Sequence, residues 1–316
     1  MVAQRSFALV SCAATIGRMA STAAAPRYWP TWIGVGVMWF GARLPIRMQF
    51  WLGRVIGALG YRFARERRHV ARVNIALCFP ELDAADREAL VERTFTSTGI
   101  GAIETTVAWF GDLGRYRERF TIEGLDVLTA AQRRGRGVVL VGAHFTTFEL
   151  AGALLAGAAP FGVIYRRNKN PVIDAFMLRG RRRRYDAVIE RSQVRAVLER
   201  LKQGHTIWYA ADQDYGRKVS VFAPFFGVPA ATITATARFA QFNQSAVIFV
   251  SHFRDPVART WSLRLCAIDG YPTGVDRDDA VCINTVIESE IRRHPDQYLW
   301  LHRRFKTRPP GEPRPY

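Results

Sequence analysis

The chain has 316 residues, with 45 Lys and Arg against 27 Asp and Glu, a formal charge of +18. Its 49% hydrophobic and 12% aromatic content supports a sizeable buried core, which excludes a disordered polycation or a basic low-complexity tail. The length suits one large domain or two small ones, and the charge leaves nucleic acid, an anionic membrane face or an acidic ligand as candidate partners.

Residues 1–27 are rich in Ala and Ser, with Arg5 and Arg18 on either side of a weak apolar run from Phe7 to Ile16. That run is poor as a signal peptide, and an unstructured extension is expected. From Tyr28 to Ala42 no residue is charged, and Arg27 and Arg43 bound the stretch. It falls short of the ~20 residues of a straight membrane span, though flanking arginines can snorkel. Trp29, Trp32 and Trp39 suit a headgroup boundary. After Pro45, Arg47, Arg54 and Arg62 recur among large apolar residues, as in a basic interfacial helix. Residues 28–63 are therefore expected to anchor the chain to a membrane, by a span or from one side, with a buried helical hairpin as the alternative. The cluster Arg65 to Arg72 belongs on the cytoplasmic side by the positive-inside tendency.

Residues 64–316 read as the main domain. Asp83 is placed to cap a helix that continues to Phe110. The apolar run Val138 to Ala143 has strand length, and a helical stretch through Leu155 follows it. Strands are expected over 162–165, 206–211, 246–253 and 261–268, and helices over 173–184, 193–202, 232–242 and 278–293. This alternation predicts an α/β fold, a mixed sheet with flanking helices on both faces. Cys12, Cys78, Cys266 and Cys282 lie far apart, without a Cys-x-x-Cys pair, so neither a zinc site nor a disulfide framework is expected. Cys78 and Cys266 sit in apolar runs and suit a reducing, cytosol-facing compartment.

The chemistry concentrates at His144, just beyond the strand Val138 to Ala143. Ligands of open α/β sheets bind beyond the C-terminal strand ends, so this histidine is placed to act. Glu149, about one turn into the next helix, is a candidate to orient one imidazole nitrogen while the other accepts a proton from a hydroxyl. The His-Glu-x-x-His pattern of zinc proteases is absent. Polar loops follow two other strands, Tyr165 to Pro171 and Ala211 to Lys218. An aromatic loop is expected over Phe222 to Gly227.

Together these strings resemble the late acyltransferases of lipid A biosynthesis, specifically the lauroyltransferase branch. The resemblance runs from Tyr28 nearly to the end, through RRHVARVNIALCFPEL, VGAHFTTFELAG, ADQDYGRK, FAPFFGVPAAT and YLWLHRRFKTRP. It implies a glycerolipid-acyltransferase-like fold and transfer of an acyl group, lauroyl in that branch, from acyl carrier protein. The implied acceptor is the 3-hydroxyl of a hydroxyacyl chain on a Kdo-bearing lipid A precursor, at the cytoplasmic side of the inner membrane. No cofactor or metal is implied. His144 becomes the general base and Glu149 its orienting carboxylate. The thioester needs no nucleophilic residue, and Arg166 or a backbone N–H after His144 is the candidate donor to the oxyanion. Asn170, Asp212 and Asp214 are candidates to shape the substrate pocket. Arg167 and Lys169 stand where the family often has Pro and Asn, and the added cations suit a phosphorylated acceptor. The run Arg179 and Arg181 to Arg184 would meet the acidic carrier or the anionic lipid. Two rivals share these residues: an acyltransferase with another acceptor, such as a glycerolipid or an ornithine lipid, and an inactive membrane-peripheral binding protein. Nucleic-acid binding lacks a recognisable motif.

Overall fold

Proline and aspartate set where the first helices begin. In the computed structural model, which describes residues 25–316, Pro30 opens helix α1 (Trp29–Gly41) and Pro45 immediately precedes α2 (Ile46–Phe63). The expectations for residues 1–24, Cys12 among them, lie outside the described residues. Helix α3 (Arg65–Cys78) leads to α4 (Ala84–Phe110), where the Asp83 carboxylate accepts the Asp86 N–H at 2.8 Å as an N-cap.

The chain then alternates. A short α5 (Gly114–Arg117) precedes β1 (Phe120–Glu123), α6 (Leu125–Arg133), β2 (Val138–Gly142), α7 (Phe148–Ala156) and β3 (Gly162–Tyr165). Helix α8 (Pro171–Arg182), β4 (Ala187–Glu190), α9 (Val194–Lys202) and β5 (Thr206–Ala210) follow. Next come β6 (Ser220–Phe225), β7 (Val228–Ile233), α10 (Ala235–Asn243), β8 (Ala246–Asp255), β9 (Thr260–Ala267) and α11 (Asp276–Arg293).

A seven-stranded sheet in the order β1-β9-β8-β2-β5-β3-β4 forms the centre. Its pairs are parallel except for the antiparallel β8 and β9, so the sheet is mixed, as expected. Every residue of β2 is buried, as its unbroken apolar run requires with helices on both faces. Val139 and Val141 join a core with Ile75 of α3, Val197 of α9 and Ile287 of α11. Val138 and Leu140 point the other way, to Leu128 of α6 and Leu155 of α7.

Two short strands, β1 and β4, escape sequence periodicity because four residues hold too few alternations. The expected aromatic loop at Phe222 to Gly227 is instead the tip of the β6–β7 hairpin. Phe226 and Gly227 occupy φ of 52° and 76°, the positive pair that a two-residue hairpin turn demands. The helix expected from residue 232 starts at Ala235, because Thr232 and Ile233 pair with Val221 and Ser220.

The expected membrane span is corrected. Helix α1 has 13 residues, about 20 Å at 1.5 Å each against the ~30 Å of a hydrocarbon core. Among the described residues no helix is long and apolar enough to cross a membrane. Helix α2 lies against α4 at a crossing built from glycines. A Cβ on Gly99 would stand 2.2 Å from the Gly53 carbonyl oxygen and 2.4 Å from the Gly57 nitrogen, both backbone. Gly99→Ala is therefore expected to force the helices apart and cost about 1–3 kcal/mol. By contrast, Gly34→Ala on α1 meets open space and should be neutral or stabilising. Denaturant unfolding of both variants checks this; equal midpoints would refute the close crossing.

Candidate active site

Strands β2 and β5 run parallel with Gly142 opposite Ala210, so the residues two places beyond each end meet. Those residues are His144 and Asp212. Asp212 Oδ1 lies 2.6 Å from His144 Nδ1, and Oδ2 accepts the His144 backbone N–H at 2.9 Å. The Asp212 side chain has no exposed area, whereas that of His144 keeps 20%, so the imidazole alone faces outward. Burial drives the imidazole pKa down, but the Asp212 charge and hydrogen bond outweigh it and leave His144 above its ordinary 6.5. Burial likewise opposes the Asp212 anion, and the His144 charge and bonds hold its pKa below the usual carboxylate range. The Gln213 side-chain amide donates to His144 Nε2 at 3.2 Å, so Nε2 is the acceptor nitrogen and Nδ1 carries the proton toward Asp212.

The loop from His144 to Thr147 is fixed from below. Thr146 N–H donates to the Gln297 carbonyl at 2.8 Å, and Leu299 N–H donates to the His144 carbonyl at 3.0 Å. Buried Arg254 reaches the same loop, donating to Thr146 Oγ1 at 2.7 Å, to the Ser97 carbonyl at 2.7 Å and to Glu104 Oε2 at 2.7 Å. Helix α4 comes close enough that a Cβ on Gly101 would stand 2.3 Å from the Thr146 carbonyl oxygen. Thr147 Oγ1 lies 2.7 Å from Nδ1 of His252, whose pKa burial pushes down to about 3, keeping that ring neutral. His302 stands beside the pair with its ring centroid 6.4 Å from that of His144, and burial pushes it down to about 4.

Glu149 does not orient His144. Its carboxylate faces the other way, accepting Arg181 Nε at 3.1 Å and Trp109 Nε1 at 3.2 Å, with Arg181 Nη2 also bound. Asp212, expected to shape the substrate pocket, takes the orienting place. Asn170 is likewise redirected: its Oδ1 caps α8 at the Val172 and Ile173 N–H groups, and its Nδ2 donates to Thr31 Oγ1 at 2.9 Å. Asp214 accepts Thr307 N–H at 2.7 Å and Gly216 N–H at 2.9 Å, tying its loop to the C-terminal segment at the cleft wall. Exposed Arg166 lines the cleft.

The cleft at His144 encloses about 850 Å³. Apolar Phe148, Met177 and Phe239 share its walls with the cations Arg166, Arg181, Arg191 and Lys306. No group of three or more His, Cys, Asp or Glu side chains that could hold a metal ion occurs among the described residues. Sequence reasoning placed Arg181 only within a basic run and missed Gln213, Arg254 and His302. Nothing in local spacing separates half-buried Arg181 from exposed Arg182, Gln213 was passed over although it follows Asp212 in the chain, and Arg254 and His302 are joined to the site only by tertiary contacts.

Removing the Glu149 carboxylate leaves the largely buried Arg181 charge without its partner. Glu149→Ala is expected to cost about 3–5 kcal/mol, and Glu149→Leu with Arg181→Met together markedly less, in urea unfolding. A wild-type midpoint for Glu149→Ala would show that the pair holds nothing.

The residues that form this site lie within a longer similarity. The family model described as bacterial lipid A biosynthesis acyltransferase matches residues 18–307. The lipid A biosynthesis palmitoleoyltransferase of Escherichia coli (strain K12) is 42% identical over 289 residues, covering 91% of this chain and 94% of that protein. The lipid A biosynthesis lauroyltransferase of the same organism is 37% identical over 293 residues, covering 92% and 96%. A lipid A biosynthesis acyltransferase of Haemophilus influenzae (strain ATCC 51907 / DSM 11121 / KW20 / Rd) is 35% identical over 291 residues, covering 90% and 93%. With a match that spans both the helical N-terminal region and the sheet carrying His144 and Asp212, the chain belongs to the bacterial lipid A biosynthesis acyltransferase family and is an acyltransferase.

Proposed function

We propose that the protein transfers an acyl group from acyl carrier protein to the 3-hydroxyl of a hydroxyacyl chain on a Kdo-bearing lipid A precursor. The observation that carries this reading is the His144–Asp212 pair, with Nε2 facing a cleft that is apolar enough for acyl chains and cationic enough for phosphate and carboxylate groups. The acceptor hydroxyl displaces the Gln213 amide from Nε2, which takes the hydroxyl proton as the oxygen attacks the thioester carbonyl carbon. The carbon–sulfur bond then breaks, and the departing thiolate takes the proton back from the imidazolium. Asp212 holds the tautomer and stabilises the imidazolium between these steps.

The oxyanion needs donors that are still available. The N–H groups of Phe145, Thr146 and Phe148 already donate to the carbonyls of Ala143, Gln297 and Phe145. The Thr147 N–H and the guanidinium groups of Arg166 and Arg181 at the cleft are therefore the candidates. Glu149 serves as a positioning residue, fixing Arg181.

The N-terminal helices support attachment to a membrane surface from one side, which the sequence resemblance puts at the cytoplasmic face of the inner membrane. Trp29, Ile33 and Phe40 of α1 and Trp51, Leu59 and Phe63 of α2 are exposed, beside Arg47, Arg54 and Arg62. Such aromatic and basic helices bind an anionic bilayer surface without spanning it. Arg182 stays exposed, available to an acidic carrier.

The test supplies labelled lauroyl and palmitoleoyl carriers in competition, with the Kdo-bearing precursor in one arm and a glycerolipid or ornithine lipid acceptor in the other. Turnover on the precursor is expected, with lauroyl the favoured donor from the sequence resemblance; turnover confined to another acceptor would overturn the reading. His144→Ala should lower kcat by about 10²–10⁴ while the circular dichroism spectrum is kept. In wild type, kcat/KM should rise with pH through a pKa above 6.5, as His144 loses its proton. Asp212→Asn removes the charge that raises this pKa, leaving burial and Arg181 to lower it, so the acid limb should move to lower pH as the plateau falls. An acid limb that stays in place would separate Asp212 from the base.

A further inference from the structure

Helix α8 separates the catalytic cleft from a second cavity. This groove encloses about 460 Å³ between α1, α4 and α8 and shares no lining residue with the cleft. Its apolar walls are Trp32, Trp39, Phe110 and Phe176, with Trp109 at its floor. Three guanidinium groups, of Arg43, Arg179 and Arg183, reach it, and no carboxylate lines it. Arg179 and Arg183 are one helical turn apart and exposed, and neither makes an ion pair with a carboxylate among the described residues. Arg43 Nη1 donates to the Trp39 carbonyl at 2.7 Å and its guanidinium lies 3.6 Å from the Trp39 ring, which fixes it at the groove mouth.

We propose that this groove binds an anionic glycerophospholipid of the bilayer, with the phosphodiester on Arg43, Arg179 and Arg183 and the upper acyl chain along Trp32, Trp39 and Phe176. Arginine forks suit phosphate oxygens, and a cationic rim over aromatic walls matches a charged headgroup joined to hydrocarbon. Helix α1, which forms one wall, also exposes Trp29, Ile33 and Phe40, so the groove opens beside an exposed apolar surface. A lipid held there touches none of the cleft residues, so it is a resident ligand rather than the reacting molecule. It would still be felt at the site, because Trp109 lines the groove and its Nε1 holds Glu149.

The test needs no acyl donor and so stands or falls apart from the proposed reaction. The full chain in neutral detergent is mixed with dioleoylphosphatidylglycerol or dioleoylphosphatidylcholine, and retained lipid is read by native mass spectrometry. One phosphatidylglycerol is expected to remain bound, with at least fivefold less phosphatidylcholine. Arg179→Gln with Arg183→Gln should reduce phosphatidylglycerol retention at least fivefold. Arg133→Gln with Arg134→Gln, an equal loss of charge at the end of α6, should leave retention unchanged. Matching circular dichroism spectra keep the comparison among folded proteins. Equal retention of the two lipids, or equal loss in both double variants, would overturn the proposal. So would one-for-one displacement of phosphatidylglycerol by a diphosphorylated glycolipid acceptor, which would make the groove part of the acceptor site.

Discussion

Asp212 holds the site together with one carboxylate. One oxygen fixes the His144 ring and the other fixes the His144 backbone, so ring orientation and loop position cannot vary separately. This grip depends on the parallel register of β2 and β5, because a one-residue slip would turn one of the two side chains to the opposite face. It depends also on burial. A carboxylate sealed from water would be protonated without a cation, and the imidazole makes the anion tenable. The same pairing raises the basicity of the ring that faces the cleft. The position and the basicity of the ring therefore rest on one contact.

The loop beyond His144 is held by an equally buried second layer. Arg254 and Glu104 form an ion pair beneath it, and Trp261 Nε1 satisfies the remaining Glu104 oxygen at 2.7 Å. Such a pair contributes little net stability, since desolvation offsets much of the attraction, but its fixed geometry restricts where Thr146 can sit. The long helix α4 supplies Ser97, Gly101 and Glu104 to this layer and Gly99 to the crossing with α2. One helix thus links the exposed N-terminal surface to the loop beyond His144 through backbone contacts that leave no room for a side chain.

The central strands and most helices were legible because they carry long apolar runs or clear caps, as at Val138 to Ala143 and Asp83. His144 was legible because it ends such a run. Its partner was not, for a reason particular to parallel sheets. Glu149 lies five residues away and looked available, whereas Asp212 becomes a neighbour only once β5 is known to pair with β2 across 68 residues. Asn170 was misread in the same way: its position before Pro171 marks a helix cap as well as a polar loop, and the cap occupies its side-chain oxygen. The N-terminal span failed on length, because hydrophobicity alone does not distinguish a helix that crosses a bilayer from one that lies on it.

The charge of +18 is not a single surface property. Arg254 and Arg304 are fully or almost fully buried, and Arg304 gives its donors to the Ala231 carbonyl and Thr232 Oγ1 at the β6–β7 hairpin. Arg181 is neutralised by Glu149, and Arg184 donates to the Gly111 carbonyl at 2.9 Å. Within the basic stretch of α8 and the residues just after it, alternate arginines therefore do opposite work: 181 and 184 fasten the helix inward, while 179 and 183 face the groove toward α1. A helix that turns one set of guanidinium groups to its own core and another to an aromatic groove separates two cavities with different demands. The cleft at His144 receives a fixed cation, and the groove keeps Arg179 and Arg183 without a carboxylate partner among the described residues.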